Sequence, residues 1–327
     1  MQTVNKLLEN EIVSFNTHID NILRTDNEVM QEIMDWILQS RGKQLRPKLV
    51  CLAARFGKKG ADATKMAAIL EIIHTASLVH DDIIDDADTR RGQLSVQKKY
   101  GRHMAVYAGD FMIFNIIDET FNDLKKKNFS EMQAYQKLYS VVQQLCYGEI
   151  GQDKALFQSD VTEDIYVYNI KNKTASLFRT ACELGAQVAK APAAVIDALS
   201  TYGDSLGLLF QIRDDLLDYR STEEEIGKPI LQDYARGIYT LPLIYALQNE
   251  SLRDEVLATS EYIKANGLSA DTAKKVMNIV DRADGITKTR AKATQIYREA
   301  MDVLSKLPDK EETQCLIHIL NKVYAGI

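Results

Sequence analysis

The stretch Ile73-His74-Thr75-Ala76-Ser77-Leu78-Val79-His80-Asp81-Asp82-Ile83-Ile84-Asp85 decides how this chain is read. Leading into it, Met66, Ile69, Leu70, Ile73, Ala76, Ser77 and His80 follow the i, i+3, i+4, i+7 spacing of one helix face, and Ile72, Leu78 and Val79 fill the other faces. A helix apolar on several sides belongs inside a protein. This one runs into carboxylates: Asp81 and Asp85 fall one turn apart on the same face, with Asp82 beside them. Like charges at that spacing repel, and burial adds a desolvation cost. A hard divalent cation offsets both, and Mg²⁺ suits a partial carboxylate shell that phosphate oxygens and water complete.

The pattern recurs as Asp214-Asp215-Leu216-Leu217-Asp218, with Gln211 one turn earlier and a second apolar helix predicted over roughly Tyr202 to Tyr219. A lone acidic cluster is equally well a solvated helix end or an N-cap. Two copies, each following a strongly apolar helix, point to paired metal edges. Asp88 reads as a solvated or capping acid. Basic residues stand nearby in sequence: Arg90 and Arg91 just beyond the first cluster, and Lys43 and Arg46 in Gly42-Lys43-Gln44-Leu45-Arg46-Pro47. Arginine grips phosphate oxygens in pairs, and lysine supplies a compact charge. His74 lies two turns before Asp81 on the same face, either as a satisfied core imidazole or facing a phosphate. His80 reads as structural or as a support for the aspartates beside it.

Outward from these motifs, helical periodicity dominates, with a third helix predicted over Lys171 to Gly185. Only 16 Gly and 5 Pro interrupt 327 residues, which disfavours a turn-rich β architecture. Short breaks are predicted at residues 56–60, 122–130, 190–192, 221–229 and 265–267, the lysines at 125–127 forming a solvated loop. These breaks are connections rather than linkers, so one all-α domain over residues 1–327 is expected. With a net charge of −6, the chain is not a general nucleic-acid binder. Cys51, Cys146, Cys182 and Cys315 are scattered without metal-ligand spacing and read as buried reduced thiols of a cytosolic protein. No apolar run reaches the length of a membrane span, and the N-terminus does not resemble a signal peptide. A soluble cytoplasmic protein is the expectation.

With these residues in hand, the chain resembles the trans-isoprenyl diphosphate synthases, or polyprenyl synthetases, over essentially its whole length. The resemblance rests on the blocks at 42–47, 73–85 and 90–92, and on Ala108-Gly109-Asp110, Gly148-Glu149-Ile150-Gly151-Gln152 and Lys173-Thr174-Ala175. Phe210-Gln211-Ile212-Arg213-Asp214-Asp215 and Gly227-Lys228-Pro229 complete it. It implies an all-α helical bundle around a central apolar cavity, a homodimer, and head-to-tail condensation of isopentenyl diphosphate with an allylic diphosphate. By position, it implies that Asp81 and Asp85 hold two of three Mg²⁺ ions with Asp82 supporting. Asp214 would hold the third, with Asp215 and Asp218 acting directly or through water. It also implies that Arg90, Lys173 and Lys228 grip the allylic diphosphate and that Lys43, Arg46, His74 and Arg91 bind isopentenyl diphosphate. Thr174 and Gln211 would line the path of the allylic cation.

Two departures from the family pattern stand out. Ile238 occupies a place where relatives often carry lysine, and the C-terminus Val323-Tyr324-Ala325-Gly326-Ile327 lacks basic residues. In this family the residues four and five before the first motif gauge the growing tail. Here they are Ser77 and Ala76, both small, with Ile73 deeper and Phe114 among the residues expected on the opposite wall. A product longer than geranylgeranyl diphosphate is expected. Farnesyl or geranylgeranyl diphosphate synthesis is the alternative product range. A terpene cyclase would need neither the second motif nor the second basic set, and a non-catalytic subunit of a heteromeric synthase would typically have lost aspartates.

Overall fold

The computed structural model describes residues 1–125, 132–220 and 231–327. Helices account for nearly all of the regular structure among them. The chain divides into two compact units, residues 1–142 with 180–200, and residues 143–179 with 201–327.

The first unit contains α1 (Gln2–Leu7), α2 (Glu9–Ile22), α3 (Glu28–Leu38), α4 (Leu45–Ala54), α5 (Thr64–Ile84), α6 (Val96–Tyr100) and α7 (Arg102–Lys125). To these it adds the start of α8 (Met132–Lys154), most of α10 (Ser176–Val188) and the start of α11 (Ala193–Arg220). Helix α5 is its axis and packs against α7, α2 and α4. The predicted buried helix lies wholly within α5, and Met66, Ile69, Leu70, Ile72, Ile73, Ala76 and Val79 are all buried. Local caps match the sequence: the Asn27 side chain accepts from the Met30 N–H at the start of α3, and Ser95 accepts from Lys98 at the start of α6.

Between α5 and α6 the chain makes a feature that helical periodicity does not predict, a hairpin of β1 (Thr89–Arg90) and β2 (Gln93–Leu94). Its two turn residues, Arg91 and Gly92, have φ of 51° and 82°. Two central residues with positive φ are what a tight hairpin turn of matching twist requires. The indole N–H of Trp36 donates to the Leu94 carbonyl (3.1 Å), and the Gln93 amide donates to the Trp36 carbonyl (3.1 Å), fastening the hairpin to α3.

The second unit holds the rest of α8 and α11, α9 (Glu163–Ile170), α12 (Gln232–Ala235), α13 (Leu241–Leu247), α14 (Arg253–Asn266), α15 (Ala270–Arg282), α16 (Gly285–Leu304) and α17 (Glu311–Tyr324). Helix α13 is its apolar centre, packed by α14, α15 and α16. The helix expected over Lys171 to Gly185 is present but irregular. It follows α9 without a break and opens with a π-helical turn, Lys171–Ala175. Glycines let neighbours reach that turn closely. A Cβ at Gly148 would stand 2.4 Å from the Lys173 nitrogen, and one at Gly207 would stand 2.4 Å from the Ala175 Cα.

The breaks expected at 56–60 and 190–192 fall between helices, while α14 runs through Ala265 and Asn266 and ends only at Gly267. The break expected at 122–130 does not begin there, since α7 continues through residues 122–125; residues 126–130, with Lys126 and Lys127 of the lysine run, and all of 221–229 lie outside the described residues. Cys51, Cys182 and Cys315 are buried and outside any disulfide, but Cys146 is exposed, which corrects the uniform burial expected for the four. No described helix is long and apolar enough to cross a membrane.

Candidate active site

In the first unit, the aspartates that end α5 differ sharply in environment. Asp82 is 3% exposed, and its carboxylate accepts the Arg90 Nε at 2.9 Å and a further, shorter contact from Nη2. A buried carboxylate needs such a partner, and the pair also ties the hairpin to the end of α5. Asp81 is half-buried, and Asp85 is exposed at the C-cap. Those two, one turn apart, present the oxygens nearest to solvent.

The basic residues form a connected group. Arg46 Nη1 lies 3.0 Å from His74 Nε2. Guanidinium only donates, so the imidazole accepts there and carries its proton on Nδ1. Burial first, and then the Arg46, Arg91 and Arg90 charges, push the His74 pKa well below its usual value, so the ring is neutral at physiological pH. Arg91 Nη1 donates to the Ser40 carbonyl at 2.7 Å, and its guanidinium lies over Gly42. A Cβ at Gly42, whose φ is +67°, would fall 2.7 Å from the guanidinium carbon. Lys43 is exposed on the same turn.

Of the candidate chain-length residues, Ala76 and Ile73 are buried (1% and 2% exposed), and the half-buried Ser77 donates its hydroxyl to the His74 carbonyl. Phe114 is 66% exposed on α7. Met112 and Ile116, two residues to either side, are buried. A helix turns about 200° in two residues, so all three cannot share one face.

The second unit repeats the aspartate logic with different partners. Asp215 is 3% exposed and accepts hydrogen bonds from the Tyr166 hydroxyl (2.5 Å) and the Gln211 amide (2.8 Å). Burial raises its pKa to about 7 against the lowering effect of those donors. Thr174 donates to the Gln211 carbonyl oxygen at 2.7 Å, making a continuous chain from Thr174 through Gln211 to Asp215 and Tyr166. Asp214 is exposed and bonds Arg213 at 2.7 Å. Asp218 accepts the Gln232 and Asp233 backbone N–H groups (3.0 and 3.1 Å) at the start of α12. Lys173 Nζ is held by Glu149 at 2.9 Å and Gln152 at 3.3 Å. Lys228 lies outside the described residues.

Each triplet therefore buries its middle aspartate on a neutral or cationic partner and keeps its first more open. They are not sets of three equivalent ligands. Among the described residues, no three carboxylate, imidazole or thiol groups converge so as to enclose a cation by themselves. Asp81, Asp85 and Asp214 remain chemically suited to Mg²⁺, being hard oxygen donors in incomplete sets. Tyr166 was missed by sequence reasoning because no motif marks it. Glu149 and Gln152 belong to the Gly148–Gln152 block, whose sequence alone does not tell that they hold Lys173.

This geometry has known counterparts. The family model described as polyprenyl synthetase matches residues 27–280. The chain is 32% identical to heptaprenyl diphosphate synthase component 2 of Geobacillus stearothermophilus, over 95% of this chain and 94% of that relative. Among solved structures, the decaprenyl diphosphate synthase of Rhodobacter capsulatus superposes with a TM-score of 0.88 at 29% identity, covering 98% of each chain. A polyprenyl synthase of Caulobacter crescentus, solved with calcium and isoprenyl diphosphate, gives 0.86 at 28% identity over 99% and 97% of the two chains. An all-α chain with this likeness is a prenyltransferase of the isoprenoid synthase fold. It belongs to the polyprenyl synthetase family, whose chemistry is the elongation of isoprenyl diphosphates.

Proposed function

We propose that this chain, acting as one synthase domain in the cytoplasm, joins isopentenyl diphosphate head-to-tail to an allylic diphosphate, extending a trans-polyprenyl chain beyond geranylgeranyl length. The observation that carries this reading is the repeated motif whose middle aspartates, Asp82 and Asp215, are buried and partnered. Asp81, Asp85 and Asp214 are thereby the residues that would hold Mg²⁺, three ions in all, with Asp82, Asp215 and Asp218 supporting. Bound Mg²⁺ supplies charge neutralisation for a departing diphosphate.

The chain's own residues do the rest. Arg90, Lys173 and Lys228 bind the allylic diphosphate, and Glu149 keeps Lys173 in place until it does. Lys43, Arg46, Arg91 and the neutral His74 bind the second diphosphate. Breakage of the allylic carbon–oxygen bond leaves a cation. The oxygens of Thr174 and Gln211, fixed in their hydrogen-bonded chain, stabilise it. The double bond of isopentenyl diphosphate attacks that carbon, and a proton passes to the released diphosphate. Exclusion of water by the buried face of α5 protects the cation.

A second reading has its own support: a similar protein carries the name component 2, so the active form here would be a heteromer rather than a homodimer. One experiment separates the readings. The purified chain, incubated alone with Mg²⁺, isopentenyl diphosphate and an allylic primer, should yield prenyl products of more than four isoprene units on chromatography. Products ending at farnesyl diphosphate would refute the length, and no product without a second protein would establish the heteromer.

A further inference from the structure

Lys48 carries a charge where the fold disfavours one. It stands in the first turn of α4, near the positive end of the helix dipole, and is only 7% exposed. Arg46 lies two residues away, and burial lowers the ammonium's hold on its proton. Two groups offset these costs. The buried carboxylate of Glu71 on α5 is close enough to attract it, and the Lys43 backbone oxygen accepts from its Nζ at 2.8 Å.

That carbonyl sits at the middle of the Gly42-Lys43-Gln44 turn, flanked by left-handed residues with φ of 67° at Gly42 and 47° at Gln44. A non-glycine residue at positive φ costs free energy and persists only where surrounding contacts hold it. The Gln44 amide adds one such contact, donating to Asn16 at 2.8 Å, and Arg91 covers the turn at Gly42. The bond from Lys48 orients the peptide plane between them, which sets the direction in which Lys43 leaves the backbone. We infer that Lys48 is a positioning residue for the second-diphosphate subsite, its buried ammonium locking the 42–44 turn in the shape that carries Lys43 and receives Arg91.

This inference rests on the proposed role of Lys43, so its test contains a control for that role. Steady-state kinetics are measured on the full chain for wild type, Lys48→Met, Lys48→Arg and Lys43→Ala, varying isopentenyl diphosphate and farnesyl diphosphate in turn, with Tm recorded for each. Lys48→Met should raise the KM for isopentenyl diphosphate about tenfold, the worth of one charge-assisted hydrogen bond. The KM for the allylic primer and kcat should stay within about threefold, and Lys48→Arg should recover most of the loss. Lys48→Gln carries the same expectation should the methionine variant fail to fold. The inference is overturned if Lys43→Ala raises that KM while the Lys48 variants do not. It is also overturned if both KM values and kcat worsen together in step with Tm, the mark of a merely structural lysine. If Lys43→Ala leaves the KM unchanged, the subsite itself is misassigned and the inference falls with it.

Discussion

Replacing Glu71 by glutamine isolates one buried charge and asks which force governs it. Glu71 is 5% exposed, and Arg46, Arg91 and Lys48 all act on it. Those cations favour the carboxylate and burial opposes it. Burial wins, raising the pKa from 4.5 to about 7. The folded chain therefore binds this proton more tightly than the unfolded chain, and its stability falls as pH rises from about 4.5 to about 7. A shift of that size corresponds to about 3 kcal/mol. For a chain this long, that is about 4 °C in Tm, taking an unfolding entropy of roughly 2 cal/mol/K per residue. Glu71→Gln cannot ionise, so its melting temperature should gain about 4 °C on the wild type between pH 5 and pH 8, by calorimetry without metal or substrate. Asp215, raised in the same direction, is common to both proteins and cancels from the comparison. A gap that stays constant across this range would refute the reasoning. A gap of opposite sign would mean that the three cations outweigh desolvation.

Arg90→Gln should strand the Asp82 carboxylate. Arg90 is itself 37% exposed, so water screens part of the loss; we expect a cost of about 2 kcal/mol in denaturant unfolding and at least a tenfold drop in kcat. Tyr166→Phe removes the shorter of the two donors to Asp215 and should cost about 1.5–3 kcal/mol by the same unfolding measurement, with an unchanged far-ultraviolet dichroism spectrum. Ala76→Phe places a ring in a fully buried position of α5. It should shorten the products on chromatography while lowering stability by about 1–3 kcal/mol, and unaltered product length would exclude Ala76 from the product path.

Much of this protein was legible before any coordinates. The apolar run over residues 66–80 required a buried helix whatever surrounded it, because no other local structure hides that many faces, and α5 is that helix. The aspartate triplets and the blocks around Lys43, Arg90, Lys173 and Gln211 named the family, since their order along the chain carries that information without geometry. What those side chains do to one another was decided by tertiary structure. Asp81 and Asp82 are neighbours in sequence and equal in chemistry, yet only Asp82 is buried on Arg90. Met112 and Phe114 stand two residues apart on α7, yet only Met112 is buried, because the phase of α7 is set by the helices it packs against. Tyr166, the π-helical turn that carries Lys173, the hairpin bearing Arg91 and the bond from Lys48 to Lys43 all depend on contacts between distant segments, or on backbone angles that nearest-neighbour preference does not determine. Periodicity records which face of an element is apolar. Which partner each polar group meets is settled only when the elements pack, because desolvation makes every buried charge depend on the atoms that close over it.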